Sequence, residues 1–207
     1  MTKECRFCEI ALGKKALGQA DQIVAETENF FAIPSIGSLV EGWTLVVPKS
    51  HEISLRDLYT SEDFQYFVRS TAQKINSAYG SVIAFEHGPN AIGSKTGCGT
   101  DHAHLHIVPF SALTKNDVIS ASLNFKKINP NQIKDVVKND EYLVFFEDIL
   151  NNSGECFLSV LEVPHSQYFR HLIARKIGIE SDQVDYRTSP RVEVSVATST
   201  RLLSIQG

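Results

Sequence analysis

The sequence has no apolar run approaching the roughly 18 residues of a membrane span. Its first residues, Met-Thr-Lys-Glu-Cys-Arg-Phe-Cys, lack the apolar stretch of a secretory signal. These two absences lead us to expect a cytoplasmic protein with no membrane partner. Stable disulfides are rare in that compartment, so its four cysteines are expected as thiols or metal ligands rather than cross-links. A basic excess is missing too. Twenty Lys and Arg against 24 Asp and Glu give a net charge of -4, which argues against a bulk nucleic-acid binder because few cations are free to neutralise phosphates. No internal repeat or low-complexity tract is present. What remains, 207 residues at 43% hydrophobic and 21% charged, suits one globular domain with an extension and a core that needs no disulfides.

Local patterns divide the chain. Gln22 to Thr27, Asn29 to Ile33 and Trp43 to Val47 read as strands, the last stopped by Pro48. Ser61 to Tyr79 reads as a helix, because Phe64, Phe67, Val68, Thr71, Ala72 and Ile75 recur at helical spacing behind a Thr60 or Ser61 cap. Ser81 to Phe85 reads as a strand, Gly88 to Gly99 as a Gly-rich loop and His102 to Pro109 as a further strand. Beyond a composition shift at 111–127, a short helix is expected at Pro130 to Lys138, strands at Tyr142 to Phe146 and Cys156 to Val163, and an amphipathic helix from Ser166 to Ile177. The tail from Arg191, rich in Val, Ser and Thr, has no clear pattern.

The densest chemistry is His102-Ala-His104-Leu-His106. On a strand these three rings share one face, roughly 6.5 Å apart, while Ala103, Leu105 and Ile107 face the other way. Such a row suits a metal-binding or solvated face as well as a catalytic one. Cys5 and Cys8 form a C-x-x-C pair, which in a reducing compartment reads as a metal ligand set or a redox pair. No strand precedes it as a thioredoxin-like motif would require. The loop from Gly88 to Thr100 departs from the P-loop pattern, yet its backbone N–H groups can form an anion nest to which Lys95 adds a charge.

Three segments together resemble the histidine triad superfamily. His102-Ala-His104-Leu-His106-Ile-Val matches His-φ-His-φ-His-φ-φ, with φ apolar. Gly42-Trp-Thr-Leu-Val-Val-Pro-Lys-Ser-His51 resembles G-H-x-L-V-I-P-K-x-H, and Cys5-Arg-Phe-Cys8-Glu-Ile resembles the C-x-F-C-x-I opening of zinc-containing members. The resemblance covers about residues 4–110. It implies an α+β HIT-like fold, an antiparallel sheet with a packed helix, in residues 1–112. Residues 113–207 would form a C-terminal α/β extension packed on it.

The resemblance also implies the chemistry. His104 would attack phosphorus and carry a covalent nucleotidyl group, and His106, with Thr100 and Lys95, would bind phosphate. Cys5, Cys8, His51 and His102 would hold a structural Zn2+, since zinc favours four such ligands. The partner would be a nucleotide or nucleotide-conjugate small molecule, and relatives are often homodimers. Histidine at the third position favours hydrolysis. A nucleotidyltransferase passing the group to a sugar phosphate or amine, and a zinc-stapled nucleotide- or RNA-binding module without turnover, are the alternatives.

Several departures bear on the substrate. Ser35 stands where relatives often carry an aspartate for the ribose hydroxyls, and Glu86-His87 where an asparagine is expected. Gly97-Cys98-Gly99 replaces G-Q-[ST], with Thr100 as the nearest hydroxyl. The stretch His165-Ser-Gln167-Tyr-Phe-Arg170 resembles the C-terminal part of a branch similar to factors linked to RNA lariat processing. Gln167 and Arg170 are expected either to pack the helix or to close over a substrate phosphate.

Overall fold

The structure, a computed structural model, describes residues 5–15, 17–151 and 154–205. The Ser61 hydroxyl accepts the Phe64 N–H and starts helix α2, Glu62–Tyr79. Glu62 and Asp63 face the positive end of the helix dipole. Phe64, Phe67, Val68, Ala72 and Ile75 form its buried stripe, and each large side chain so removed from water contributes roughly 1.5–3 kcal/mol. That stripe lies on one face of a single sheet.

The sheet has eight strands: β1 Ala25–Glu26, β2 Phe30–Pro34, β3 Thr44–Pro48, β4 Ile83–Gly88, β5 Leu105–Val108, β6 Lys126–Ile128, β7 Tyr142–Phe146 and β8 Cys156–Val160. Their order is β1-β2-β3-β5-β4-β7-β8-β6, and every pairing is antiparallel. The architecture is therefore α+β, as expected. Residues beyond 112 do more than cover the first part. They add β7 directly to β4 and continue the same sheet through β8 to β6.

Alternation along each strand sorts the core into two layers. Phe30, Ala32, Val46, Ala84, Val144 and Phe146 pack with α2. Phe31, Ile33, Leu45, Val47, Phe85, Leu143 and Phe145 face the other way, towards α1 (Arg6–Ala11) and α5 (Tyr168–Lys176). Helices α3, Lys115–Ile119, and α4, Ile133–Val137, are single turns or little more. The tail forms α6, Val192–Ser204, despite its Ser, Thr and Val content. Its hydroxyls are satisfied locally: Thr198 and Thr200 donate to the carbonyls four residues back, at 2.8 and 2.9 Å. Ser195 donates to the Ser35 carbonyl at 2.7 Å, and the Gly42 N–H donates to Thr198 Oγ1 at 2.9 Å, so α6 clamps the loop between β2 and β3.

Glu86 lies on the α2 side of β4. Its carboxylate accepts the Tyr59 and Tyr142 hydroxyls, each at 2.7 Å, and the Leu55 N–H at 2.7 Å. Burial raises its pKa, against the pull of these three donors. Tyr59→Phe or Tyr142→Phe leaves this buried carboxyl short of a donor and should cost about 1–3 kcal/mol in denaturant unfolding. Loss well below that range would show that the cluster is dispensable.

Candidate active site and metal cluster

The second face carries the histidines. Strand β5 begins only at Leu105, so His102 and His104 lie in the segment before it, whereas a strand was expected from His102. The reason is local: the Ala103 N–H donates to the Glu52 carbonyl at 2.6 Å instead of joining the sheet ladder. The row nevertheless forms, with His104 and His106 ring centroids 4.8 Å apart.

Each ring has its proton placed by a group that can act in only one way. A carbonyl oxygen only accepts, so His104 Nδ1 carries the hydrogen donated to the His102 carbonyl at 2.8 Å. The free lone pair of the neutral ring is then on Nε2. An indole N–H only donates, so Trp43 Nε1, 2.9 Å from His106 Nδ1, leaves the His106 hydrogen on Nε2. His102 Nε2 donates to the Pro48 carbonyl at 2.8 Å and leaves Nδ1 free. Burial holds His104 below the ordinary histidine range, with its bond to His102 opposing and Arg6 assisting. Burial also holds His106 well below that range, with His104 and His87 adding to the effect. Both rings are thus neutral at pH 7.

His102 Nδ1 points at the cysteines, 3.2 Å from Cys5 Sγ and 3.6 Å from Cys8 Sγ. Cys8 Sγ is 3.2 Å from His51 Nδ1. The four ligand atoms lie within 4.8 Å of one another, and this cluster could hold a metal ion. Cys5 caps α1, whose first turn brings Cys8 to the same side.

His104 and His106 line one cleft. Ser35, His87, Thr100, Gln167 and Arg170 line it too. Two expected residues do not reach it. Glu86 neighbours His87 on β4 and therefore points through the opposite face. Lys95 is exposed, because Ser94 and Thr96 on either side both donate to the Glu141 carboxylate and hold the loop with Lys95 outward.

Arg170 is 5% exposed and lies 5.6 Å from the Trp43 ring centroid. Its Nε donates to the Val184 carbonyl and its Nη2 to the Gly37 carbonyl. These are neutral acceptors, and the Asp185 carboxylate offsets part of its charge from beyond ion-pair distance. Burial, followed by Arg191, lowers its pKa to about 10, which still leaves it charged. His87 is 8% exposed with neither ring nitrogen hydrogen-bonded, and Gln167 Oε1 is likewise buried without a partner. Buried polar atoms without partners are groups a ligand would satisfy.

Sequence reasoning assigned Arg6, Trp43 and Tyr186 no place in this cleft and raised Cys98 only through the departure at Gly97-Cys98-Gly99. Trp43 was signalled by its place in the G-H-x-L segment, where it stands for the histidine. Cys98 adopts φ 56°, uncommon outside glycine, at the junction with the extension. Its carbonyl accepts the Tyr186 hydroxyl at 2.7 Å, and its sulfur accepts the Gln167 N–H at 3.0 Å. No local pattern joined Cys98 to Tyr186, because the contact spans 88 residues.

A family model described as the HIT domain matches residues 17–112. "Protein hit" of Bacillus subtilis is 30% identical over 112 residues, 52% of this chain and 71% of that protein. An uncharacterized HIT-like protein of Borreliella burgdorferi is 30% identical over 110 residues, 51% of this chain and 75% of that protein. Among solved structures, a hypothetical histidine triad nucleotide-binding protein from Sulfolobus tokodaii is 29% identical. That match covers 51% of this chain and 68% of that one, with a TM-score of 0.40. The matched family segment contains neither Arg6 nor the extension residues Gln167 and Arg170.

His87 makes the cleft acid-sensitive. Burial, and secondarily His104, lower its pKa from 6.5 to about 3. Between those values the unfolded chain binds a proton that the folded one does not, so stability is complete above about pH 6.5 and lost as pH falls. From pH 7 to pH 5 the wild type should lose roughly 2 kcal/mol more than His87→Phe. Equal pH dependence in chemical unfolding would contradict a neutral buried ring.

Proposed function

The chain belongs to the HIT domain family, and from that premise we propose that it is a nucleotidyl-transferring hydrolase working through a covalent nucleotidyl-histidine on His104. The observation that carries this reading is the bond from His104 Nδ1 to the His102 carbonyl, which leaves Nε2 bare within the cleft. Nε2 attacks the phosphorus of a bound nucleotide, an N–P bond forms, and the bond to the leaving group breaks. Water then attacks the same phosphorus, releases the nucleotide and restores the ring. His106 Nε2–H donates to a phosphoryl oxygen as charge develops there. Arg170 supplies a positive charge for the phosphate, and Thr100 adds a hydroxyl. Ser35, His87 and Gln167 are assigned to the rest of the nucleotide.

Cys5, Cys8, His51 and His102 are proposed to hold Zn2+. A tetrahedral zinc with thiolate and imidazole ligands keeps its ligand atoms roughly 3.3–3.8 Å apart, and the sulfur–nitrogen separations of 3.2, 3.2 and 3.6 Å, in a cluster spanning at most 4.8 Å, come close to that set. Four protein ligands leave no open position, so zinc would supply rigidity rather than Lewis-acid chemistry. The His102 bond to Pro48 fixes the ligand nitrogen, as outer-sphere partners of metal-bound histidines do.

Dinucleoside polyphosphates, nucleoside phosphoramidates and nucleotide sugars are suitable test substrates. His104→Ala should lower turnover by about a thousandfold or more, while Arg170→Met should mainly raise KM. A mass increase of one nucleotidyl group on His104 should appear during turnover. Turnover that survives in His104→Ala rejects the nucleophile; tight binding without turnover in the wild type favours a binding module. Metal analysis should find one zinc per chain, and Cys5→Ser should lose it together with thermal stability. A metal-free, equally stable wild type would reject the zinc assignment.

A further inference from the structure

The cleft at the histidine row is nearly closed. It encloses about 80 Å³, against the roughly 300 Å³ or more of pockets that bury a small-molecule ligand. His87, with neither ring nitrogen bonded, and Gln167, with a bare Oε1, lie inside it. What closes it comes from the extension.

Residues 185–191 run as a strap between Val184, which is buried, and α6, whose first buried residue is Ser195. No residue from 185 to 194 is buried. The strap is fastened on both sides of the cleft. On one side the Gly37 N–H donates to the Pro190 carbonyl, and Tyr186 packs so closely on Gly37 that a methyl group there would overlap its Cβ. On the other side the Tyr186 hydroxyl donates to the Cys98 carbonyl at 2.7 Å, and Arg187 Nη2 donates to the same oxygen at 3.3 Å. Ile36 and Cys98, next to or at these two anchors, line the cleft together with Tyr186. The strap thus crosses from the loop between β2 and β3 to the loop before the histidines. A segment held by a few bonds to backbone carbonyls, with no buried side chain, belongs to the low-stability end of a structure.

We propose that residues 185–191 are a lid that swings clear when a ligand of nucleotide size enters, with the Tyr186 hydroxyl on the Cys98 carbonyl as its latch. This rests on the reading of the cleft as a nucleotide site. The latched space is too small for a nucleoside monophosphate, so only the open fraction of molecules binds one, and the observed affinity is reduced by that fraction. Loosening the latch therefore strengthens binding. Loss of an ordinary supporting contact would weaken binding or leave it unchanged.

The full chain carrying His104→Asn, which cannot be nucleotidylated, is titrated calorimetrically with adenosine, guanosine, cytidine and uridine 5′-monophosphates. Association rates are followed by the fluorescence of Trp43, the one tryptophan of the chain. The measurements are repeated after adding Tyr186→Phe, which removes only the latch bond, or Gly37→Ala, which wedges the strap outward. Thermal melting confirms folding, a necessary control at Gly37 because its φ of 74° strains any side chain. Tyr186→Phe should bind the preferred monophosphate about twofold to tenfold tighter, with the gain in the association rate, and Gly37→Ala should also bind tighter. Hydrogen exchange reads the lid itself, through the Gly37 amide that donates to Pro190. That amide should exchange faster by a similar factor in Tyr186→Phe and lose protection when nucleotide binds. Unchanged or weaker affinity in Tyr186→Phe, or stronger protection of Gly37 in the complex, would overturn the proposal. Failure of the nucleotide reading shows instead as no binding by any variant. Faster Gly37 exchange in Tyr186→Phe then still supports the strap as a lid, and unchanged exchange rejects it.

Discussion

The hydrogen bond from His104 Nδ1 to the carbonyl of His102 couples the metal cluster to the cleft through two residues of backbone. That carbonyl can hold the His104 ring only if His102 itself is fixed. His102 is fixed at both ring nitrogens, by Pro48 on one side and the two cysteines on the other. The position of one imidazole in the cleft thus depends on contacts made to its neighbour outside it. Metal binding at the cluster would stiffen this chain of contacts without touching a substrate, as a supporting shell does for a precise site.

The extension completes the cleft as well as covering it. Strand β7 joins β4, so the sheet that carries His87 and His106 does not end at the family segment. Phe169 of α5 packs against Phe85 and His87, at centroid distances of 4.7 and 5.4 Å, and brings Arg170 and Gln167 to the same opening. Both Gln167 and Cys98 adopt left-handed backbone, and the Gln167 N–H is bonded to the Cys98 sulfur. Two unfavourable backbone conformations at one contact are held by the packing around them, an arrangement that concentrates at functional sites.

Much of this was legible in the residues, and the failures have physical causes. The spacing in α2 gave its boundaries to within a residue, because a strong cap and a strong stripe agree there. The histidine row and the cysteine cluster followed from order along the chain. Glu86 and His87 could have been separated on alternation alone, since adjacent strand residues face opposite ways. Lys95 was misplaced because a Gly-rich loop does not reveal which side chains anchor it. Helix α6 had no clear pattern because its residues favour strands and hydroxyl bonding. Its contacts with the loop between β2 and β3, absent from any local window, override that preference. Arg170 was visible as a residue but not as a buried cation, because the carbonyls that hold it lie 14 and 133 residues away.

Charge explains why the cleft differs from the rest of the molecule. The chain is net negative, so at long range the protein as a whole does not attract anions. Any selection for an anion must therefore be local, made by donors held where water is scarce. Arg170 on carbonyls and Arg6 on a single carboxylate oxygen are two solutions with different consequences. Carbonyls orient Arg170, and Asp185 offsets part of its charge from beyond ion-pair distance. Asp21 cancels much of the charge on Arg6 and fixes its geometry, which allows the carboxylate to be buried.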